Sequence, residues 1–174
     1  MKLYRIATYI LLVAAGLIAL PIVMLLPAAF SNPVLLLSLI IGVALVMYSY
    51  TSYRFLKMGV EEYYYCKPSL RSMIKVSSYI SLVVAALSII EAGVMLAQPE
   101  KLRAQIEASL KQLPADASVN EQFYTNFIMA TPYIMLAYYL VLIPHIFYTW
   151  RLLKKYGQVF DPPPPRSDAD NNEQ

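Results

Sequence analysis

The chain has 174 residues, of which 59% are hydrophobic and only 14% charged; a soluble domain of this size carries about 25% charged residues. A formal net charge of +3, spread along the chain, excludes an electrostatic footprint for nucleic acid. One cysteine and one histidine exclude an internal disulfide, a multi-cysteine metal centre and paired-histidine haem ligation within one chain.

The charge deficit comes from four long apolar segments separated by polar connections, so the expected fold class is an all-α integral membrane protein with four transmembrane helices. The first span covers 6–27 and follows the basic start Lys2 and Arg5. A cleaved signal peptide competes with this reading, with Ala29-Phe30-Ser31 as a cleavage-like site. The apolar core of a signal peptide is about 7–15 residues, shorter than this segment, which favours a retained span. Pro21 lies inside it and removes a backbone donor, so a kink is expected there.

A tight uncharged turn leads to the second span, 34–53. Residues 54–75 then form the expected charged connection, with Arg54, Lys57, Lys67, Arg71 and Lys75. The third span, 76–97, holds the carboxylate Glu91 and a seam of small residues. Ser77, Ser81, Ala85, Ser88 and Ala92 share one arc at 100° per residue, as close helix packing in lipid requires. A water-lined hydroxyl seam is the functional alternative.

In the long third connection, 99–113 reads as a short amphipathic helix on the membrane surface. Pro99 suits a first helical turn, Leu102, Ile106, Leu110 and Leu113 share a face, and Pro114 ends it. The fourth span is 127–150, bracketed by Pro132 and Pro144. The membrane domain is thus 1–156. The remainder, 157–174, reads as a flexible, disordered C-terminal tail, with Pro162 to Pro165 and an acidic, Asn-rich end.

Charge fixes the expected orientation. Eleven of the 14 Lys and Arg residues fall before the first span, between the second and third, or after the fourth. Only Lys101, Arg103 and Lys111 fall on the other side. By the positive-inside rule both termini are cytoplasmic, in a plasma or bacterial inner membrane. Tyrosines gather at the same ends, Tyr48, Tyr50, Tyr53, Tyr63, Tyr64, Tyr65, Tyr148 and Tyr156 among them, and read with Trp150 as an interfacial aromatic belt.

An internal repeat is the less obvious signal. RIATYILLVAAGLIAL from Arg5 aligns without a gap to KVSSYISLVVAALSII from Lys75, with six of sixteen positions identical, Tyr9/Tyr79 and Ala15/Ala85 among them. Tyr53-Arg54-Phe55-Leu56-Lys57 likewise matches Trp150-Arg151-Leu152-Leu153-Lys154. This predicts two parallel-repeat hairpins related by an axis along the membrane normal.

Polar groups inside the spans are the site candidates. At a rise of ~1.5 Å per residue, Glu91 and His145 differ in depth by ~16 Å, which rules out a direct pair. The same arithmetic matches Glu91 to Tyr133, Ser88 to Tyr138 and Ser81 to His145. These three hydrogen-bonded pairs are the expected intramembrane polar site. No phosphate loop, H-E-x-x-H, nucleophile elbow or carboxylate pair inside the spans is present, and the adjacent Glu61-Glu62 read as solvated charge, so no enzymatic activity, catalytic residue, cofactor or metal is expected. The partners expected are the lipid bilayer, a second copy or another membrane protein, and no nucleic acid. The role expected is a non-enzymatic accessory, assembly or interaction component. The alternative is a small oligomeric transporter or channel using Glu91.

Overall fold

In the computed structural model of the protein, the residues described are 1–100, 102–104, 106 and 121–161. All regular structure among them is helical: α1 (Lys2–Ala29), α2 (Pro33–Arg54), α3 (Pro68–Ala97) and α4 (Glu121–Lys155). A π-helical segment, Phe55–Glu61, continues α2, and a 3-10 turn, Gly157–Phe160, follows α4. Four helices are long and apolar enough to cross a membrane.

Local chemistry explains the breaks. At the α1–α2 turn the Asn32 side chain accepts the Leu35 amide at 3.4 Å, and Pro33 opens the new helix, where no amide donor is needed. The α2–α3 connection is much shorter than the expected 54–75. Helix persists to Glu61 and resumes at Pro68, leaving only 62–67 outside. Charged side chains are not helix breakers. Arg54, Lys57, Arg71 and Lys75 ride on helical turns that continue each apolar segment beyond its apolar length. The chain reverses at Tyr63, whose φ of 55° is left-handed.

The helices pack in a ring: α1 on α2, α2 on α3, α3 on α4, with α4 closing least extensively onto α1. Contacts between the start of α1 and the end of α4, and between the start of α3 and the end of α4, make neighbours antiparallel. The start of α1, the end of α2, the start of α3 and the end of α4 therefore meet at one end, which also carries most of the cations.

The core is concentrated toward that end. One cluster joins Tyr4, Phe55, Val60, Cys66, Ile74, Leu153 and Phe160; a second joins Leu11, Leu45, Tyr48, Ala85, Leu142 and Ile146. Above them the outward faces are apolar and uncovered, as at Leu17, Leu20, Val23 and Met24 of α1. Such a contiguous apolar surface is unusual for a monomer in water.

Two expectations change at the charged end, and a third segment, at the other end, is described in part. The segment expected to begin a flexible tail, 157–160, is folded: Val159 and Phe160 are buried, the Val159 carbonyl accepts the Cys66 amide at 2.7 Å, and Phe160 stacks on Phe55. Its apolar Val-Phe pair is what seats it. Residues 162–174 lie outside those described. Tyr48 and Tyr156, expected in an interfacial belt, are buried, whereas Tyr50, Tyr63, Tyr64 and Tyr65 are exposed. Of the expected surface helix, the described residues 99, 100, 102–104 and 106 are helical. Leu102 and Ile106 are both buried, as their shared face predicts; Leu110 and Leu113 lie outside the described residues.

Gly59 holds the π-helical segment against its neighbours. A Cβ there would stand 2.9 Å from the Phe55 ring and 3.4 Å from Cys66 Sγ. Phe55 is fully buried and cannot yield. At Gly42 the obstacle is only the flexible end of Ile22, 2.8 Å away. Gly59→Ala is therefore expected to destabilise the protein by about 1–3 kcal/mol. Gly42→Ala is expected to cost less, because a gain of up to about 1 kcal/mol in helix propensity offsets the crowding. Thermal unfolding of the two variants in detergent orders them.

Candidate functional site: a histidine held by three helices

The site grows from α1. Tyr4 and Thr8 stand one turn apart, so both face the bundle. Thr8 donates its hydroxyl to the Tyr4 carbonyl at 2.8 Å. Its oxygen also lies 2.8 Å from His145 Nε2 on α4. On the other side of the imidazole, the Tyr48 hydroxyl of α2 lies 2.8 Å from Nδ1. Counting protons resolves the tautomer. With the Thr8 proton already given to Tyr4, Nε2 carries the imidazole hydrogen and donates to Thr8, and Tyr48 donates to Nδ1. The Tyr4 ring lies flat on the imidazole, centroids 4.6 Å apart and planes 6° from parallel.

The network continues toward the charged end. Thr149, one turn beyond His145, donates to the His145 carbonyl at 2.8 Å. Its oxygen stands 3.1 Å from the Tyr4 hydroxyl and 3.2 Å from that of Tyr48. Ser52 of α2 lies 3.2 Å from the Tyr4 hydroxyl. Six side chains from α1, α2 and α4 thus form one buried hydrogen-bonded set; His145 itself is 3% exposed. An open groove of about 420 Å³ runs beside it between α1 and α4, with Tyr4 and His145 at its base and Leu3, Ala7 and Pro144 in its walls.

This arrangement corrects the three expected pairs. α3 and α4 are neighbours, but His145 bonds to Thr8 and Tyr48, not Ser81. The hydroxyl oxygens of Ser81 and Tyr138 are buried with no hydrogen-bond partner. The Tyr138 hydroxyl approaches Ser49, which gives its own proton to the Leu45 carbonyl, without making a hydrogen bond to it. Ser88 is only half-buried. Glu91 is exposed, and no hydrogen bond joins it to Tyr133, which is 63% exposed. Depth alone set those pairs, and depth says nothing about which way a side chain faces around its helix. The contact that does join α3 to α4 is the Trp150 indole, which donates to Ser78 Oγ at 2.8 Å.

The small-residue arc does face inward. Ser77, Ser81, Ala85 and Ala92 are buried, and Ser77 donates back to its own Met73 carbonyl at 2.7 Å, which favours packing over a wetted path. Thr8, Ser52 and Thr149 do not emerge from the sequence as partners, because a depth match between the third and fourth spans leaves α1 and α2 out. A depth match between the ends of α1 and α4, the ring-closing pair, would have found Thr8.

Cys66, in the α2–α3 connection, is buried, and its thiol donates to the Tyr64 carbonyl at 3.6 Å. Burial pushes its pKa up, against a smaller opposing pull from Arg54, so its thiolate form is suppressed. Among the described residues no three His, Cys, Asp or Glu side chains come together as a metal site.

No protein-family model, curated protein or solved structure matches the chain. What fold and site define is a class: an all-helical four-helix protein with helices long and apolar enough for a membrane.

Tyr48→Phe removes the donor to His145 and leaves Nδ1 buried without a partner. It is expected to cost about 1–2 kcal/mol, toward the upper end for hydrogen bonds between membrane helices. Tyr138→Phe deletes a hydroxyl that has no hydrogen bond and is expected to be neutral or stabilising. Equal losses in the two variants, measured by thermal unfolding, would contradict the network.

Proposed function

We propose that this chain is a four-span integral membrane protein with both termini cytoplasmic, acting as a non-enzymatic accessory, assembly or interaction component. The observation that carries the reading is where the polar groups go. His145 and the hydroxyls of Tyr4, Thr8, Tyr48, Ser52 and Thr149 are occupied with one another, and Glu91, in the last two turns of α3, faces outward. Glu91 is exposed and His145 is buried among its own partners, so the outer faces are the surfaces this reading assigns to recognition. A carboxylate on an outer face is costly in lipid and favours a partner there, either a second copy or another membrane protein.

Two further observations support a bundle of two duplicated hairpins. Tyr9 packs on Tyr53 with ring centroids 5.8 Å apart, and their repeat counterparts, Tyr79 and Trp150, pack at 5.1 Å. Over the aligned sixteen residues, burial matches position by position except at Ala7, half-buried where Ser77 is buried. Tyr48 and His145, which bond to each other, occupy corresponding positions of the two copies, as do Ser52 and Thr149. The axis relating the copies therefore runs close to the Tyr48–His145 bond.

In this reading the chain stays in the membrane fraction after alkaline carbonate extraction. Reconstituted in liposomes, it passes protons, monovalent cations and small amphipathic cations no faster than empty vesicles. Cross-linking in native membranes captures a dimer or a second membrane protein, and Glu91→Leu weakens that capture. Flux that appears with the wild type and disappears in Glu91→Gln would replace this reading with a transporter or channel.

A further inference from the structure

Two cavities between α2 and α3 share Met73 in their linings. One, of about 310 Å³, lies at the charged end and is lined by Arg54, Cys66, Lys67 and Ser69 as well as Met73. The other, of about 380 Å³, is almost wholly apolar and runs along the two helices past Val43 and Ile80. From Met73 to Ile80 it extends ~10 Å along α3 at ~1.5 Å per residue.

The first cavity is electrostatically unbalanced. No carboxylate lines it, and among the described residues the one ion pair, Arg5 with Glu61, lies elsewhere. Arg54 is steadied by a contact from Nε to Met58 Sδ at 3.4 Å, which leaves its terminal nitrogens for another acceptor. Lys67 stands just before α3, and Ser69 lies in the first turn of this 30-residue helix; Pro68 has no amide hydrogen and the Leu70 amide donates to the Lys67 carbonyl at 2.9 Å, so the helix dipole and the Ser69 hydroxyl and amide are what favour negative charge here. The second cavity offers none of this and is open along its side, suited to a hydrocarbon chain.

We propose that the two cavities hold one anionic phospholipid, its phosphodiester between Arg54, Lys67 and Ser69 and one acyl chain along Val43, Met73 and Ile80. The occupant follows from the sequence of surfaces: two cations and a hydroxyl at the expected membrane face, then an apolar trough leading inward from the same methionine. A zwitterionic headgroup fits less well, because its cationic end meets Arg54 and Lys67. This site rests on the four-span reading above and adds a ligand class to it.

The test is native mass spectrometry of the full chain in detergent, titrated with phosphatidylglycerol, phosphatidylcholine and inorganic phosphate. One phosphatidylglycerol is expected to bind at least tenfold more tightly than phosphatidylcholine, and millimolar phosphate is not expected to displace it. Lys67→Glu and Arg54→Gln are expected each to weaken phosphatidylglycerol at least fivefold, and Met73→Trp, which adds bulk at the shared residue, to weaken it similarly. Lys154→Gln with Lys155→Gln, which removes nearby charge outside the cavities, is expected to change it less than twofold. Lys67 is exposed and outside the helices, so its variant gives an answer even if Arg54→Gln fails to fold. Equal binding of the two lipids, equal loss in the Lys154/Lys155 control, or displacement by phosphate alone would overturn the proposal. Release of the chain by carbonate would instead overturn the membrane reading, so the two failures are distinct.

Discussion

The imidazole of His145 has two nitrogens, and in a dry interior each needs a partner. That requirement joins three helices: Nε2 is tied to Thr8 of α1 and Nδ1 to Tyr48 of α2. A buried polar set whose members satisfy one another fixes how the helices around it are rotated and paired. Here it acts where it is most needed. α4 meets α1 over the smallest of the four interfaces, and the His145–Thr8 and Tyr4–Thr149 contacts are what close the ring there.

The charged end is built differently. It behaves like a small soluble core, with Phe55, Phe160, Cys66, Ile74 and Leu153 buried together. Gly59 lies within the π-helical segment Phe55–Glu61, where a Cβ would stand 2.9 Å from the Phe55 ring and 3.4 Å from Cys66 Sγ. The exposed pair Arg5–Glu61, at 2.7 Å, adds little stability beside this packing. The bundle is therefore tightest at one end and loosest at the other, where α1 beyond Gly16 presents apolar side chains on most of its surface.

Much of the architecture was legible beforehand because it depends on one-dimensional quantities. The four apolar segments, the inward arc of Ser77, Ser81, Ala85 and Ala92, and the shared burial of Leu102 and Ile106 all follow from length and a period of 3.6 residues. The candidate site was legible only in part. His145 could be singled out as a buried polar group, but its partners depend on rotation about each helix axis and on which helices close the ring. Glu91 shows the same limit: its depth was computable, and the direction it faces was not.

What the amino-acid sequence determined by itself is the number of helices, their apolar lengths, and the end at which charge collects, since these are sums over neighbouring residues. Only the tertiary structure decided that Tyr48 is a core donor and not a belt tyrosine, that Val159 and Phe160 fold back onto Phe55 and Cys66, and that Trp150 ties α4 to Ser78 of α3. Those outcomes rest on contacts between residues 48 and 145, 66 and 159, or 78 and 150. A hydrogen bond of 2.8 Å or a stacked ring is decided by how helices are rotated and paired, and local propensity carries no record of it.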